Sequence, residues 1–231
     1  PHPANPDPLW SRGLGDVYKR QLWGQVLGYF PRNLCMWPLL TAVVVGGMIS
    51  DDRQNGTSAI YFSRPISRMD YTSMKYLSVA VILGFVIVFS YFAYYTSAIV
   101  FGQEGWAFLA DTLPIFLGGI VAGTLVVITY TSIGLSLSSI SQSRFFAAIG
   151  FLSIIYGTKL VSMLVEMRFD TTFLYIISPY DCLAHFGQFL LGIPSNYDHP
   201  LSWSVVSLIG MNSAAIWLLA SRVTSLEVTR E

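Results

Sequence analysis

Long apolar runs limit what this chain can fold into before anything else does. A helix needs about 20 mostly apolar residues to cross the hydrocarbon layer of a bilayer. Five windows meet or approach that length: 34–50, which is slightly short, 76–101, 113–140, 145–167 and 203–223. Their clear interior charge is Lys159. Charged residues make up 11% of the chain, where a soluble domain carries about a quarter. Aromatic residues reach 15%, which suits the belts found at membrane interfaces. The expectation is an all-α, polytopic transmembrane helix bundle, with five visible spans of a six-span protein.

Small residues recur inside the windows: Gly46-Gly47, Gly118-Gly119, Ala122-Gly123 and Gly134. Helices in lipid associate by close packing at such positions, because lipid offers no hydrophobic drive to bring them together. The windows should therefore bundle.

Orientation follows from Lys and Arg in the short connections, which favour the cytoplasmic side. The segment 51–75 holds Arg53, Arg64, Arg68 and Lys75. The next connection has Glu104 and Asp111 and no basic residue; the third has Arg144. The connection 168–202 has Arg168 alone, and the tail has Arg222 and Arg230. Basic and non-basic connections alternate in register with five crossings. Segment 51–75 and the C-terminus are expected in the cytoplasm, and 168–202 outside.

Residues 1–21, PHPANPDPLWSRGLGDVYKRQ, break this pattern. They show no apolar period and are rich in Pro, Gly and charge. They lack the apolar core of a signal peptide. GLGDVYKRQ resembles linker-derived translations at the ends of genes assembled from environmental DNA. This leader is set aside as non-native or loosely held, with 22–231 as the membrane domain. Five crossings leave the visible N-terminal end outside, so one further span is expected upstream. Leu22 to Phe30 is too short to cross and reads as an outer connection.

The charged segment DDRQNGTSAIYFSRPISRMDYTSMKY is too polar for lipid and too rich in structural signals for a floppy linker. Ser50-Asp51-Asp52 has N-cap chemistry. Ala59, Ile60 and Phe62 follow, and Pro65 breaks the helix. Ser67 can cap a second helix running into the next window. The reading is short helix, kink, helix. Arg53, Arg64 and Arg68 suit anionic headgroups or the carboxylates of a protein partner. The plainer alternative is basic anchoring with no further role.

This segment resembles the first cytoplasmic loop of permease subunits of ABC-2 type ABC transporters. The matching features are Asp52-Arg53, Gly56-Thr57, Ile60-Tyr61-Phe62, Ser63-Arg64-Pro65-Ile66-Ser67-Arg68, Tyr71 and Lys75. SLSSISQSRFFAA and Ser178 to Asp181 agree more weakly with a second cytoplasmic turn and an outer loop. The resemblance implies a multi-pass half-transporter in a prokaryotic plasma membrane. Two permease copies, or one with a paralogue, would form the pathway. Separate ATPase subunits, holding ATP and Mg, would dock on the loop 51–75.

The chain has no GxxxxGK[ST] phosphate loop, no HExxH and no GxSxG, so neither catalytic residues nor a metal or cofactor of its own is expected. Equal numbers of basic and acidic residues, 13 each, argue neither for nor against nucleic acid, and none is assigned as a partner. Cys35 and Cys182 form no metal or redox spacing; two ordinary thiols are expected over a disulfide. Lys159 can pair with Glu166 at i+7, line a pathway, or snorkel to the outer interface. The outer connection looks like a short amphipathic surface helix, with Phe186, Phe189 and Leu190 opposed to His185 and Gln188. Two competing functions are a membrane-integral enzyme, which needs ionisable clusters at one depth, and a passive anchor or assembly subunit, which needs no structured basic loop.

Overall fold

The computed structural model describes residues 33–55, 67–101 and 106–228, and among these it is helical with no strand. In chain order the helices are α1 (Trp37–Gly46), α2 (Ser50–Gln54), α3 (Arg68–Gly84), α4 (Ser90–Phe101), α5 (Trp106–Ile140), α6 (Arg144–Leu152), α7 (Thr158–Phe169), α8 (Pro179–Leu190) and α9 (Leu201–Val228). A π-helical turn, Phe85–Phe89, joins α3 to α4, and another, Ser153–Gly157, joins α6 to α7. Each pair is therefore one long rod with a local widening, the usual form of a π segment. A 3₁₀ turn, Phe173–Ile177, leads into α8.

Among the described residues, four helical stretches are long and apolar enough to cross a membrane: Met69–Ser97, Thr112–Ile140, Arg144–Phe169 and Leu201–Arg222. The first apolar window of the sequence is not among them. It forms α1, a turn at 47–49, and α2. Ten residues rise about 15 Å, half the hydrocarbon thickness. The interruption follows the Gly46-Gly47 pair. A side chain at Gly46 would come within 2.8 Å of the Arg144 carbonyl oxygen, so α1 and the start of α6 touch backbone to side-chain-free backbone.

Helix α5 is the centre of the bundle. It contacts α1, α3, α4, α6, α8 and α9, and 44% of its apolar window is buried, twice the share of any other span. Hydroxyls line its buried surface: Thr129, Thr131, Ser132, Ser136, Ser138 and Ser139. Ser136 and Ser139 donate to carbonyls one turn back, Ile133 O at 2.8 Å and Ser136 O at 2.6 Å, which removes their cost in an apolar setting. Gly134 lets Val45 of α1 approach; its missing Cβ would lie 2.8 Å from Val45 Cγ1. At the other end of α5, Gly118 abuts the Leu190 carbonyl of α8 and Gly119 abuts the Tyr91 ring.

Helix α8 starts as the sequence suggests, with Ser178 Oγ accepting from Asp181 N at 3.3 Å and Pro179 in the first turn. Its buried face is mixed, with Cys182 and Leu183 at 1% and 4% exposure beside polar groups. Asp181 and His185 are 2% and 4% exposed, whereas Phe189 is 64% exposed. The helix packs against α5 and α9. Polar groups of a membrane protein are hidden among partners, and here they share the buried face with apolar side chains. Cys35 is exposed and Cys182 buried, and both are free thiols. Burial pushes the Cys182 thiol up to about 11, and its Sγ donates to Ile176 O at 3.2 Å.

Candidate functional site

The end of the bundle where α2, the start of α3, the end of α5 and the start of α6 meet carries the charged segment of the sequence. Ser67 is the N-cap of α3. Its Oγ accepts from Asp70 N at 3.1 Å, and its own N–H donates to Asp70 Oδ2 at 3.3 Å. This is a capping box with Asp in the third position. The helix start that Ser67 suggests in the sequence is therefore present.

Ser50 behaves differently from an N-cap. It is wholly buried, and its hydroxyl turns back to donate to Gly46 O at 2.6 Å. Asp52 Oδ2 accepts from Tyr71 OH at 2.8 Å and pairs with Lys75 Nζ at 2.7 Å. Tyr71 and Lys75 stand one turn apart on α3, so both reach one acceptor. The Lys75 ammonium also lies 5.7 Å from the centre of the Tyr71 ring. Tyr76, next on α3, donates to Ile128 O of α5 at 3.2 Å and lies 3.1 Å from Ser132 Oγ. The two ends of the charged segment are thus tied to each other and to the central helix.

Of the residues singled out in the sequence, Asp52, Tyr71 and Lys75 come together and Ser67 caps the helix that carries two of them. The backbones of Arg53 and Arg68 belong to α2 and α3. Gly56, Thr57, Phe62, Ser63, Arg64 and Pro65 lie outside the described residues.

Lys159 and Glu166 do not pair. Seven residues of helix rise about 10 Å, too far for a direct contact. Lys159 Nζ pairs instead with Asp181 Oδ1 of α8 at 2.8 Å, and it lies 4.1 Å from the Tyr180 ring centre. Glu166 accepts a hydrogen bond from Tyr175 OH. Tyr197 OH donates to Asp181 Oδ1 at 3.2 Å. Asp198 accepts from Thr172 Oγ1 at 3.0 Å.

Beside them lies a cluster that the sequence pattern did not reveal. His185 Nδ1 and His199 Nε2 each lie 2.9 Å from Ser204 Oγ. A hydroxyl has one proton, so one imidazole accepts from Ser204 and the other donates to it. Burial lowers the basicity of both histidines; the neighbouring His199 lowers His185 further, while Asp198 partly offsets the effect on His199. Both are held neutral at pH 7. The spacing 185, 199, 204 follows no periodic rule, since the chain leaves α8, turns and re-enters on α9. Among the described residues no group of three or more His, Cys, Asp or Glu side chains is gathered as for a metal ion. Next to this cluster α5 and α8 enclose about 190 Å³, lined by Ala122, Val126, Leu183, Gly187 and Leu191, with Tyr180 and Tyr197 on one wall.

The arrangement offers two tied ends: a charged one built from α2, α3 and α5, and a buried polar one built from α7, α8 and α9. The family described as "ABC-2 family transporter protein" matches residues 34–191. No curated protein matches the chain.

Proposed function

Because the chain belongs to the ABC-2 family of transporter proteins, and is thus a membrane permease rather than an enzyme, we propose that it couples to separate ATPase subunits through segment 51–75. ATP and Mg are held by that partner. Two copies, or this chain and a paralogue, form the substrate path. The charged end faces the cytoplasm, with the C-terminus on the same side, in a prokaryotic plasma membrane.

One observation carries this reading: the Asp52–Tyr71–Lys75 tie. A segment that receives force from another protein must pass it into the spans. The tie closes the base of the segment, and the Ser67–Asp70 box fixes where α3 begins. A passive anchor gains nothing from such a base.

The test is co-purification of the full-length permease with ATPase subunits encoded beside it. Wild type is expected to retain the ATPase. Arg64→Glu combined with Arg68→Glu is expected to weaken retention about tenfold or more, as charge reversal does at a basic contact. A wild type that retains no ATPase, or a double variant that retains it equally, overturns the docking role.

A further inference from the structure

We infer that Ser138 is the positioning residue that fastens the root of segment 51–75 to the central helix; the inference rests on the coupling role proposed for that segment. The backbone ladder of α1 stops at Gly46. The amides of Ile49 and Ser50 then both turn to a side chain 88 or 89 residues away, donating to Ser138 Oγ at 3.1 and 3.2 Å. The Ser138 proton goes to Gly46 O at 3.3 Å, the carbonyl that also accepts from Ser50 Oγ. A serine hydroxyl has two lone pairs and one proton, and all three are used.

Ile49, Ser50 and Ser138 are each fully buried. In lipid a broken helical ladder persists only where neighbouring groups take up the freed amides. Ser138 is that neighbour, so the turn at 47–49 has a stable partner outside its own helix. Gly134, one turn earlier on α5, admits Val45 and brings α1 close enough for a side chain as short as serine to reach. The consequence is mechanical. Helix α2 hangs from α5 through Ser138, and two residues later from α3 through Asp52. Displacement of α2 is passed to α5 and α3.

The test uses the full chain in lipid nanodiscs. Ser138→Ala removes only the hydroxyl. Ser136→Ala, also buried on α5 but bonded only within its own helix by the Ile133 carbonyl, is the comparison. Amide hydrogen exchange is read on peptides covering 46–55. Ser138→Ala is expected to speed exchange there about tenfold or more, the scale of leaving buried amides unbonded, and Ser136→Ala to leave it unchanged. Equal exchange in wild type and Ser138→Ala, or equal acceleration by both variants, overturns the tie.

A second reading follows transmission. Spin labels are placed at Gln54→Cys and Leu113→Cys in a Cys35→Ser, Cys182→Ala background, with the co-purified ATPase bound. Adding ATP is expected to change the distance in wild type and Ser136→Ala but not in Ser138→Ala, with the ATPase still bound and hydrolysing. An undiminished change in Ser138→Ala overturns the mechanical role. Absence of any retained ATPase counts against the proposed function instead, and the exchange arm still decides the tie.

Discussion

Lys159 shows what a single residue in the sequence does and does not disclose. A lysine inside an apolar window stands out, because a charge in lipid must have a partner or reach water. The identity of the partner was not legible. Asp181 is 22 residues away, past a left-handed Asp170, a 3₁₀ turn and an N-cap, and no helical spacing connects the two. Glu166, at a spacing that repeats the helix face, was the natural guess, but two turns separate it from Lys159. Removing Lys159 strands the Asp181 carboxylate, which is 98% buried. Breaking a buried pair costs about 3–5 kcal/mol. The Lys159 side chain retains 36% exposure, which places the loss near the lower end. Lys159→Met is expected to destabilise the protein by about 3 kcal/mol in unfolding measured in detergent. Adding Asp181→Asn should restore most of that loss, since the stranded charge is gone. A double variant no more stable than Lys159→Met would contradict the pairing.

At the scale of elements, the windows were legible by composition and the internal breaks were not. The Gly46-Gly47 pair read as a packing device, which it is, yet the same pair ends α1. What decides between the two is the hydroxyl of Ser138 on another helix, which no local pattern carries. Glycines also looked alike in the sequence and prove unlike in place. A Cβ on Gly46 would strike the Arg144 carbonyl at 2.8 Å, whereas one on Gly150 meets nothing within 4 Å. Gly46→Val is therefore expected to cost about 1–3 kcal/mol, the range for overpacking. Gly150→Ala should be neutral or stabilising by up to about 1 kcal/mol, the difference in helix propensity. Thermal unfolding of the two variants in one detergent checks both. The amphipathic period of α8 was legible too, but the burial of Asp181 and His185 was not, because their partners Lys159 and Ser204 stand on other helices.

For the molecule as a whole, the acid response comes from one end of the bundle. Burial lowers the basicity of His185 and His199 at the end built from α7, α8 and α9. In the unfolded chain both titrate near 6.5. Between the folded and unfolded values the unfolded chain binds more protons, so stability falls as pH falls. The contribution is complete above about pH 6.5 and is lost as pH drops through the folded values. Unfolding temperature in detergent is expected to fall between pH 7 and pH 5. His185→Gln with His199→Gln should flatten that part of the profile. A profile unchanged by the double substitution would separate the histidines from the acid response. The cluster was invisible in the sequence because its members come from α8, the turn after it and α9, and only the fold brings them to Ser204.

The buried polar groups of α8 also bear on the order in which the protein is made. Its inward groups, Asp181 and His185, find partners on α7 (Lys159), on the turn that follows (Tyr197) and on α9 (Ser204). The last of these helices leaves the ribosome after α8 itself. Until α9 arrives, α8 is a twelve-residue helix, too short to cross a membrane and too polar on one face to rest in it. The buried polar face of α8 is therefore complete only once α9 is in place. A chain stalled before residue 201 would leave the His185 imidazole without Ser204, a clear mark of an unfinished protein.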